Sequence, residues 1–233
     1  MMAPLTFPDL PAGVARVHLE IERVDFAAPE ASGKQGGVQA GWPLWQGTWE
    51  FDALDQLSAD LLEAFHARLR GRQRLFLAGA FNRPYPIAHA GGFAGMVRAG
   101  GGAFAGDALT WAQAIDADGE ATVALTGLPA GLVLSAGDYI GWKWDAAGAA
   151  AASYGRRSLA RIVIGAVASG GGAATVTIEP PVNGLVVPGG AKAHLDKPMA
   201  VFRLLPDKTS LAPRGKGKGI GGGAIVALQD LRP

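Results

Sequence analysis

DALDQLSADLLEAFHARLRG, residues 52–71, is the one stretch whose pattern predicts an amphipathic helix; the rest of the chain has the composition of strands, turns and glycine-rich loops. Apolar side chains recur there at steps of three and four residues, which places them on one helical face. They are Leu54, Leu57, Leu61, Leu62, Phe65 and Leu69. We expect this stripe to pack on a sheet, so that a charge at Leu61 or Phe65 prevents folding.

Composition limits the classes of protein to consider. The 233 residues suffice for one large β domain or two smaller ones, and 21 Lys and Arg against 20 Asp and Glu argue against a broad nucleic-acid-binding surface. The chain has no cysteine, which excludes disulfides and thiolate metal sites. The four histidines, His18, His66, His89 and His194, have no metal-ligand spacing, so we predict no zinc site.

The ends and apolar runs of the chain bear on its location. The N-terminal MMAPLTFPDLPAGV lacks the basic start and apolar run of a secretory signal. Apolar runs are interrupted by glycine, proline or charge before they reach the length of a membrane span, about 18 residues. We therefore expect synthesis in the cytoplasm and no membrane span.

The strand before the helix is rich in tryptophan. In GWPLWQGTWEF, residues 41–51, the alternating positions Trp45, Gly47, Trp49 and Phe51 share one strand face, which favours packing under the helix. This segment has three tryptophans, Trp42, Trp45 and Trp49. So many aromatic rings close together also leave open the alternative that they form a platform on which a sugar ring stacks. Apolar strands are expected again over residues 75–81 and 199–205 and near the C-terminus.

Residues 104–197 read as a chain of short strands divided by turn signals, which predicts a small β-barrel or sandwich. The glycine-rich segment IAHAGGFAGMVRAGGGAFAG, residues 87–106, is interpreted as a linker into this unit. Its apolar, weakly charged loop at 91–106 costs much entropy to order, which favours burial between subunits. The predicted fold is therefore mainly β with one helix, in two β domains: residues 1–103 with 198–233, and an inserted domain at 104–197.

Two groups of residues are candidate contacts for a ligand or partner. Tyr139, Trp142 and Trp144 form a second aromatic group, which fits either core packing or a ligand-stacking surface. Arg214, Lys216 and Lys218 lie in RGKGKG, which lacks the Ser or Thr and the following helix of a phosphate-binding loop. This run is better explained as a basic hairpin that contacts a partner subunit or a polyanion.

The sequence presents no coherent catalytic set. Ser135 lies in a turn and not in a GxSxG elbow. Asp116, Asp118, Glu120, Asp138 and Asp145 fall mainly at predicted turns, where aspartate is used for backbone hydrogen bonding. We therefore predict a structural or binding protein and not an enzyme; an enzyme cleaving cell-wall polymer is disfavoured on this ground.

Three stretches carry a family resemblance. They are LTGLPAGLVLSAGDYI (residues 125–140), RSLARIVIGAVASGGGAATVTIEPPVNGLV (157–186) and DKPMAVFRLL (196–205). With their AGD turn, VTIxPP strand and KPxAxFRL strand, they resemble a β-domain found in baseplate proteins of tailed bacteriophages. The first half, where a Trp-rich strand leads into an amphipathic helix and an apolar strand, is similar to the ring-forming domain of distal tail proteins of long-tailed phages. The returning strand implies that the second unit is inserted in the first.

This resemblance implies a hexameric ring at the virion tail tip, made in the host cytoplasm, that joins the tail tube protein to baseplate hub proteins. Nucleic acid would meet it only in transit through the central channel, which Arg214, Lys216 and Lys218 could face. The family needs no cofactor and has no catalytic residues to carry over. Its inserted domain projects outward and in some members resembles a carbohydrate-binding fold. A host-attachment module that binds cell-surface glycan through Tyr139, Trp142 and Trp144 is the alternative.

Overall fold

The computed structural model describes residues 3–10, 13–29, 35–39, 41–145, 155–211 and 222–231. The fold is mainly β, with several sheets and one α-helix among the described residues. In the first half of the chain the elements are β1 (Leu5–Thr6), β2 (Arg16–Glu22), β3 (Asp25–Pro29), β4 (Gln35–Gln39), β5 (Leu44–Phe51), α1 (Gln56–Leu69) and β6 (Leu75–Gly79). They are followed by a 3-10 turn at Ile87–His89, then β7 (Thr110–Ile115), β8 (Ala121–Thr126), β9 (Val133–Leu134), β10 (Tyr139–Trp144), β11 (Arg156–Ile164), β12 (Ala166–Val167), β13 (Ala174–Glu179), β14 (Lys192–His194), β15 (Met199–Leu204), β16 (Ser210–Leu211) and β17 (Gly223–Gln229).

The first sheet is built from both ends of the chain. Its order is β1-β6-β15-β17-β5-β2, with β16 paired to β17. β1 runs parallel to β6, and the other neighbours are antiparallel. Strand β15, which comes after all strands of the second sheet, thus lies between β6 and β17 in the middle of the first.

The second sheet uses only the middle of the chain, in the order β14-β10-β11-β13-β8-β7. Its two edges approach each other: Asp107, just before β7, bridges to His194 in β14, and Ala108 N donates to Ala193 O at 3.0 Å. This contact nearly closes the sheet into a small barrel around Trp142, Ile140 and Leu125, which are all buried.

Strand β5 alternates as the sequence predicts. Trp45, Trp49 and Phe51 are buried, and Trp49 and Phe51 share a core with the helix residues Leu62 and Phe65. Gly47 makes this packing feasible, because a Cβ there would lie 2.3 Å from the indole Cη2 of Trp49. The prediction that these aromatics form core beneath the helix is confirmed.

The helix begins four residues later than its sequence pattern suggests. The predicted burial of Leu54, Leu62, Phe65 and Leu69 is confirmed, while the inward face also takes in Ser58 and Ala59. Asp55 is the N-cap, and its side chain accepts a 2.7 Å hydrogen bond from Ser58 N. The buried positions are Ser58, Ala59, Leu62, Phe65 and Leu69, together with Leu54 ahead of the helix. Leu57 and Leu61 are 59% and 38% exposed, so the predicted burial of these two was wrong. Each precedes a buried residue, and successive helical residues point about 100° apart.

The glycine-rich segment interpreted as a linker is folded onto the second core. Phe93 and Phe104 are buried with their ring centroids 5.0 Å apart, and Arg98 N donates to Gly102 O within a tight turn. The residues 91–106 are therefore ordered by the chain's own packing. The predicted domain boundary between residues 103 and 104 falls between Phe93 and Phe104, which belong to one core. The division into two domains stays a prediction.

Candidate functional site

The aromatic group at Tyr139, Trp142 and Trp144 lies on β10 in the interior of the molecule. Trp142 is fully buried and Trp144 nearly so, and the Trp142 ring packs edge-on against Trp111 at 5.5 Å between centroids. Within this structure neither indole presents a face on which a sugar ring could stack. Because both belong to the core of the second sheet, the core-packing interpretation describes them better than the ligand-stacking one.

Tyr139 lies instead at the junction of the two sheets. Its hydroxyl accepts a 2.7 Å hydrogen bond from Arg161 Nη2, and the same nitrogen donates to the main-chain oxygen of Leu19 at 2.9 Å. The Arg161 guanidinium lies 5.2 Å from the Tyr139 ring and 5.3 Å from the Trp45 ring, a cation–π arrangement with both. The contacts of Arg161 and Tyr139 therefore hold β10 and β11 against β2 and β5.

The AGD turn is a second link along the chain. Asp138 is fully buried, and its Oδ1 accepts hydrogen bonds from Arg83 Nε, Arg83 Nη2 and Ile87 N at 3.0, 2.6 and 2.8 Å. Its Oδ2 accepts one from Ser135 N at 2.7 Å. Gly137 has a positive φ of 88° and a Cβ there would lie 2.9 Å from Arg83 Nη1. The motif is thus a structural latch between the turn and the segment that follows β6.

A cluster of charges lies where the edges of the second sheet meet. Asp107 contacts Arg98 Nη2 at 2.9 Å and Lys192 Nζ at 2.8 Å. Burial on its own raises the pKa of Asp107, but Lys192 and Arg98 together bring that pKa below its usual value. Next to them His194 is buried, its Nδ1 has no hydrogen-bond partner, and burial, with Lys143 and Arg157 nearby, lowers its pKa to about 3. This histidine is neutral at physiological pH.

Asp116 is a carboxylate that sequence analysis placed at a turn, and it does stabilise the backbone there. Oδ1 of Asp116 accepts hydrogen bonds from the main-chain nitrogens of Asp118 and Glu120, at 3.0 and 2.8 Å, in the turn between β7 and β8.

Across the described residues, no three His, Asp or Glu side chains converge as metal ligands. No helix in that same part of the chain is long and apolar enough to cross a membrane.

A concave surface that carries both charge and an aromatic ring lies at Trp42. The cleft has a volume of about 660 Å³ and lies between the start of β5, the β7–β8 turn and the end of β13. Sequence reasoning grouped Trp42 with Trp45 and Trp49 by proximity. Two features of the sequence distinguish Trp42 from the other two. It lies between Gly41 and Pro43, ahead of the strand, and its even number places it out of step with the buried residues of β5, which are odd-numbered.

A second cavity, of about 630 Å³, is lined mostly by apolar groups including Tyr85, Phe93, Met96 and Phe104, with Asp196 at its wall.

The candidate channel or partner contacts Arg214, Lys216 and Lys218 lie outside the described residues. Comparisons with protein-family models and with curated proteins give no match to this chain.

Proposed function

We propose that the protein is a structural component of a bacteriophage tail tip, a ring of identical subunits that joins the tail tube to the baseplate hub. In this proposal it acts by symmetric self-association and by docking, without a cofactor and without catalysis. The ring is hexameric, as in the family that the sequence resembles, and leaves a channel through which nucleic acid passes.

The observation that best supports the proposal is the position of β15. The sequence motif KPxAxFRL, which carries the resemblance, coincides with this strand, and the strand returns from the second sheet into the middle of the first. Met199 pairs with Gly79 and Phe202 with Gln229, so β15 joins strands from both sides of the middle segment. This connectivity agrees with a ring-forming domain that carries an inserted, outward-projecting β unit at residues 104–197.

The other two motifs of the resemblance also fall on structural elements. The AGD turn holds Arg83 through Asp138, and the VTIxPP motif coincides with β13 and its exit. Motifs of this kind specify packing and not chemistry, which agrees with a scaffold protein. The glycan-binding alternative is weaker, because two of its three proposed stacking residues are buried.

Electron microscopy provides the test. Purified protein should give ring-shaped particles with a central hole, and a gold-labelled antibody against it should mark the tip of intact tails. Addition of a tail tube protein and a hub protein from the same phage should place the ring between them. Particles that stay monomeric, together with no binding to either protein, would refute the proposal.

A further inference from the structure

The Trp42 cleft combines an exposed aromatic ring with fixed geometry. Trp42 is 38% exposed, whereas Trp45, Trp49, Trp142 and Trp144 are buried. Its Nε1 donates a 3.2 Å hydrogen bond to the main-chain oxygen of Pro181, which fixes the indole at the wall of the cleft. An oriented indole that keeps solvent exposure can receive a group from outside the chain.

The charge of the cleft selects the kind of group. Asp118, Glu120 and Glu179 line it together with a single cation, Arg23, so that its lining has a net charge of −2. Glu179 is paired with Arg23, while Asp118 and Glu120 are exposed on a turn that Asp116 holds in shape. Carboxylates beside an indole face favour a guanidinium or ammonium group, because the aromatic face and the carboxylates both attract positive charge.

The chain itself has a segment of matching chemistry. Residues 212–221, APRGKGKGIG, contain Arg214, Lys216 and Lys218 and no acidic residue, a net charge of +3. Both ends of this segment are attached at the Phe51 end of β5, because Leu211 pairs with Gly223 and Gly223 pairs with Phe51. Trp42 precedes Leu44, at the opposite end of the same strand.

Chain geometry prevents the segment from filling its own cleft. β5 has eight residues and spans about 24 Å at about 3.4 Å per residue. Arg214 and Lys216 are three and five residues beyond Leu211 and Lys218 is four before Gly222, which allows backbone reaches of about 10, 17 and 14 Å. An extended side chain adds about 7 Å to each reach, and Trp42, two residues before Leu44, is about 31 Å from Phe51 along the strand. The cations of one copy therefore cannot enter its Trp42 cleft together, whereas those of a second copy could.

We propose that the Trp42 cleft of one copy binds residues 212–221 of a neighbouring copy. This inference rests on the proposed ring function and names the surfaces that would build it. The cleft and the strand pairs that flank the segment lie at opposite ends of β5, so the contact is head-to-tail. Head-to-tail contacts close into rings when the rotation per subunit permits.

A charge-exchange experiment tests the pairing. One variant carries Asp118→Lys with Glu120→Lys, and the other carries Lys216→Glu with Lys218→Glu. Each alone should self-associate at least about tenfold more weakly than the unmodified protein in sedimentation velocity, because like charges then face each other. An equimolar mixture of the two should recover assembly, since each copy then meets a partner of opposite charge.

The controls separate this contact from general charge effects and from misfolding. Asp60→Lys with Glu63→Lys reverses the same number of charges on exposed positions of α1 and should leave assembly unchanged. Trp42→Ala should weaken assembly more than Trp42→Phe, and circular dichroism should show all variants folded. Rings that persist in both charge-reversed variants, or a mixture that does not recover, would overturn this inference while leaving the ring function in place. An unmodified protein that never assembles would overturn both.

Discussion

The indole Nε1 of Trp45 donates a 2.7 Å hydrogen bond to the main-chain oxygen of Leu159. Trp45 belongs to β5 of the first sheet and Leu159 to β11 of the second, and both are buried. Leu159 packs in the core of the first sheet although its strand pairs in the second. The bond therefore joins two sheets built from different parts of the chain.

Loss of this bond should destabilise the protein. Trp45→Phe keeps an aromatic ring but leaves the buried oxygen of Leu159 without a donor, at an expected cost of about 1–3 kcal/mol. Urea unfolding followed by circular dichroism would measure it. Trp111→Phe is the matched control, because Trp111 Nε1 donates an equally short bond to Ala191 O from a less buried position. A loss at Trp45 no larger than that at Trp111 would contradict the importance of the junction.

Asp138 and Arg83 should be energetically coupled. Asp138→Asn replaces a fully buried carboxylate that has four hydrogen-bond donors around it, and it should cost about 3 kcal/mol because Arg83 loses its charged partner. A double-mutant cycle with Arg83→Gln, measured by chemical unfolding, should give a coupling above about 0.5 kcal/mol. Additive effects would show that the latch contributes nothing as a pair.

Adjacent leucines in the helix should respond in opposite ways to a charge. Leu62→Asp places a carboxylate in the core and should cost more than about 4 kcal/mol, so that the protein is unfolded or insoluble. Leu61→Asp changes an exposed position and should cost less than about 1 kcal/mol. Thermal unfolding and soluble yield distinguish the two, and equal damage by both would mean that the helix is rotated from the orientation described.

Stability should fall in mildly acidic solution because of His194. Burial lowers its pKa from the usual 6.5 to about 3, so that between these values the unfolded chain binds a proton that the folded chain does not. The expected loss is about 1.4 kcal/mol per pH unit as the pH falls from about 6.5 to 4.5. His194→Leu should flatten this dependence, measured as unfolding free energy against pH. His18→Leu, at an exposed histidine, should not; identical profiles for all three proteins would refute the assignment.

Local pattern predicts much of this fold. The alternation in β5 is sufficient to identify Trp45, Trp49 and Phe51 as core, because one strand face is buried. The helix was predictable in place and type from its three- and four-residue steps, and so was the burial of Leu62, Phe65 and Leu69. The exposure of Leu57 and Leu61 was not, because Ser58 and Ala59 take the inward positions beside them. Ala59 belongs to the same core as Phe7 and Phe76, whose rings lie 5.2 and 5.5 Å from the Phe65 ring.

The contacts that join the sheets could not be predicted in the same way. Arg83 and Asp138 are 55 residues apart, and Trp45 and Leu159 are 114 apart, so no short-range periodicity connects them. Composition was enough to identify the basic residues Arg214, Lys216 and Lys218 as candidates. The acidic cleft at Trp42 was not predictable, because five separate segments of the chain meet in space to form it. A turn rich in aspartate and a tryptophan beside a proline show no such relation in sequence.

The mass of the native particle shows whether identical copies assemble into a ring. Native mass spectrometry of the purified protein, alone and with the tail tube and hub proteins, would measure this mass. We expect one dominant closed oligomer of hexameric mass that also binds the tube or hub protein. A particle of monomer mass across the micromolar range, with no complex in either mixture, would contradict it.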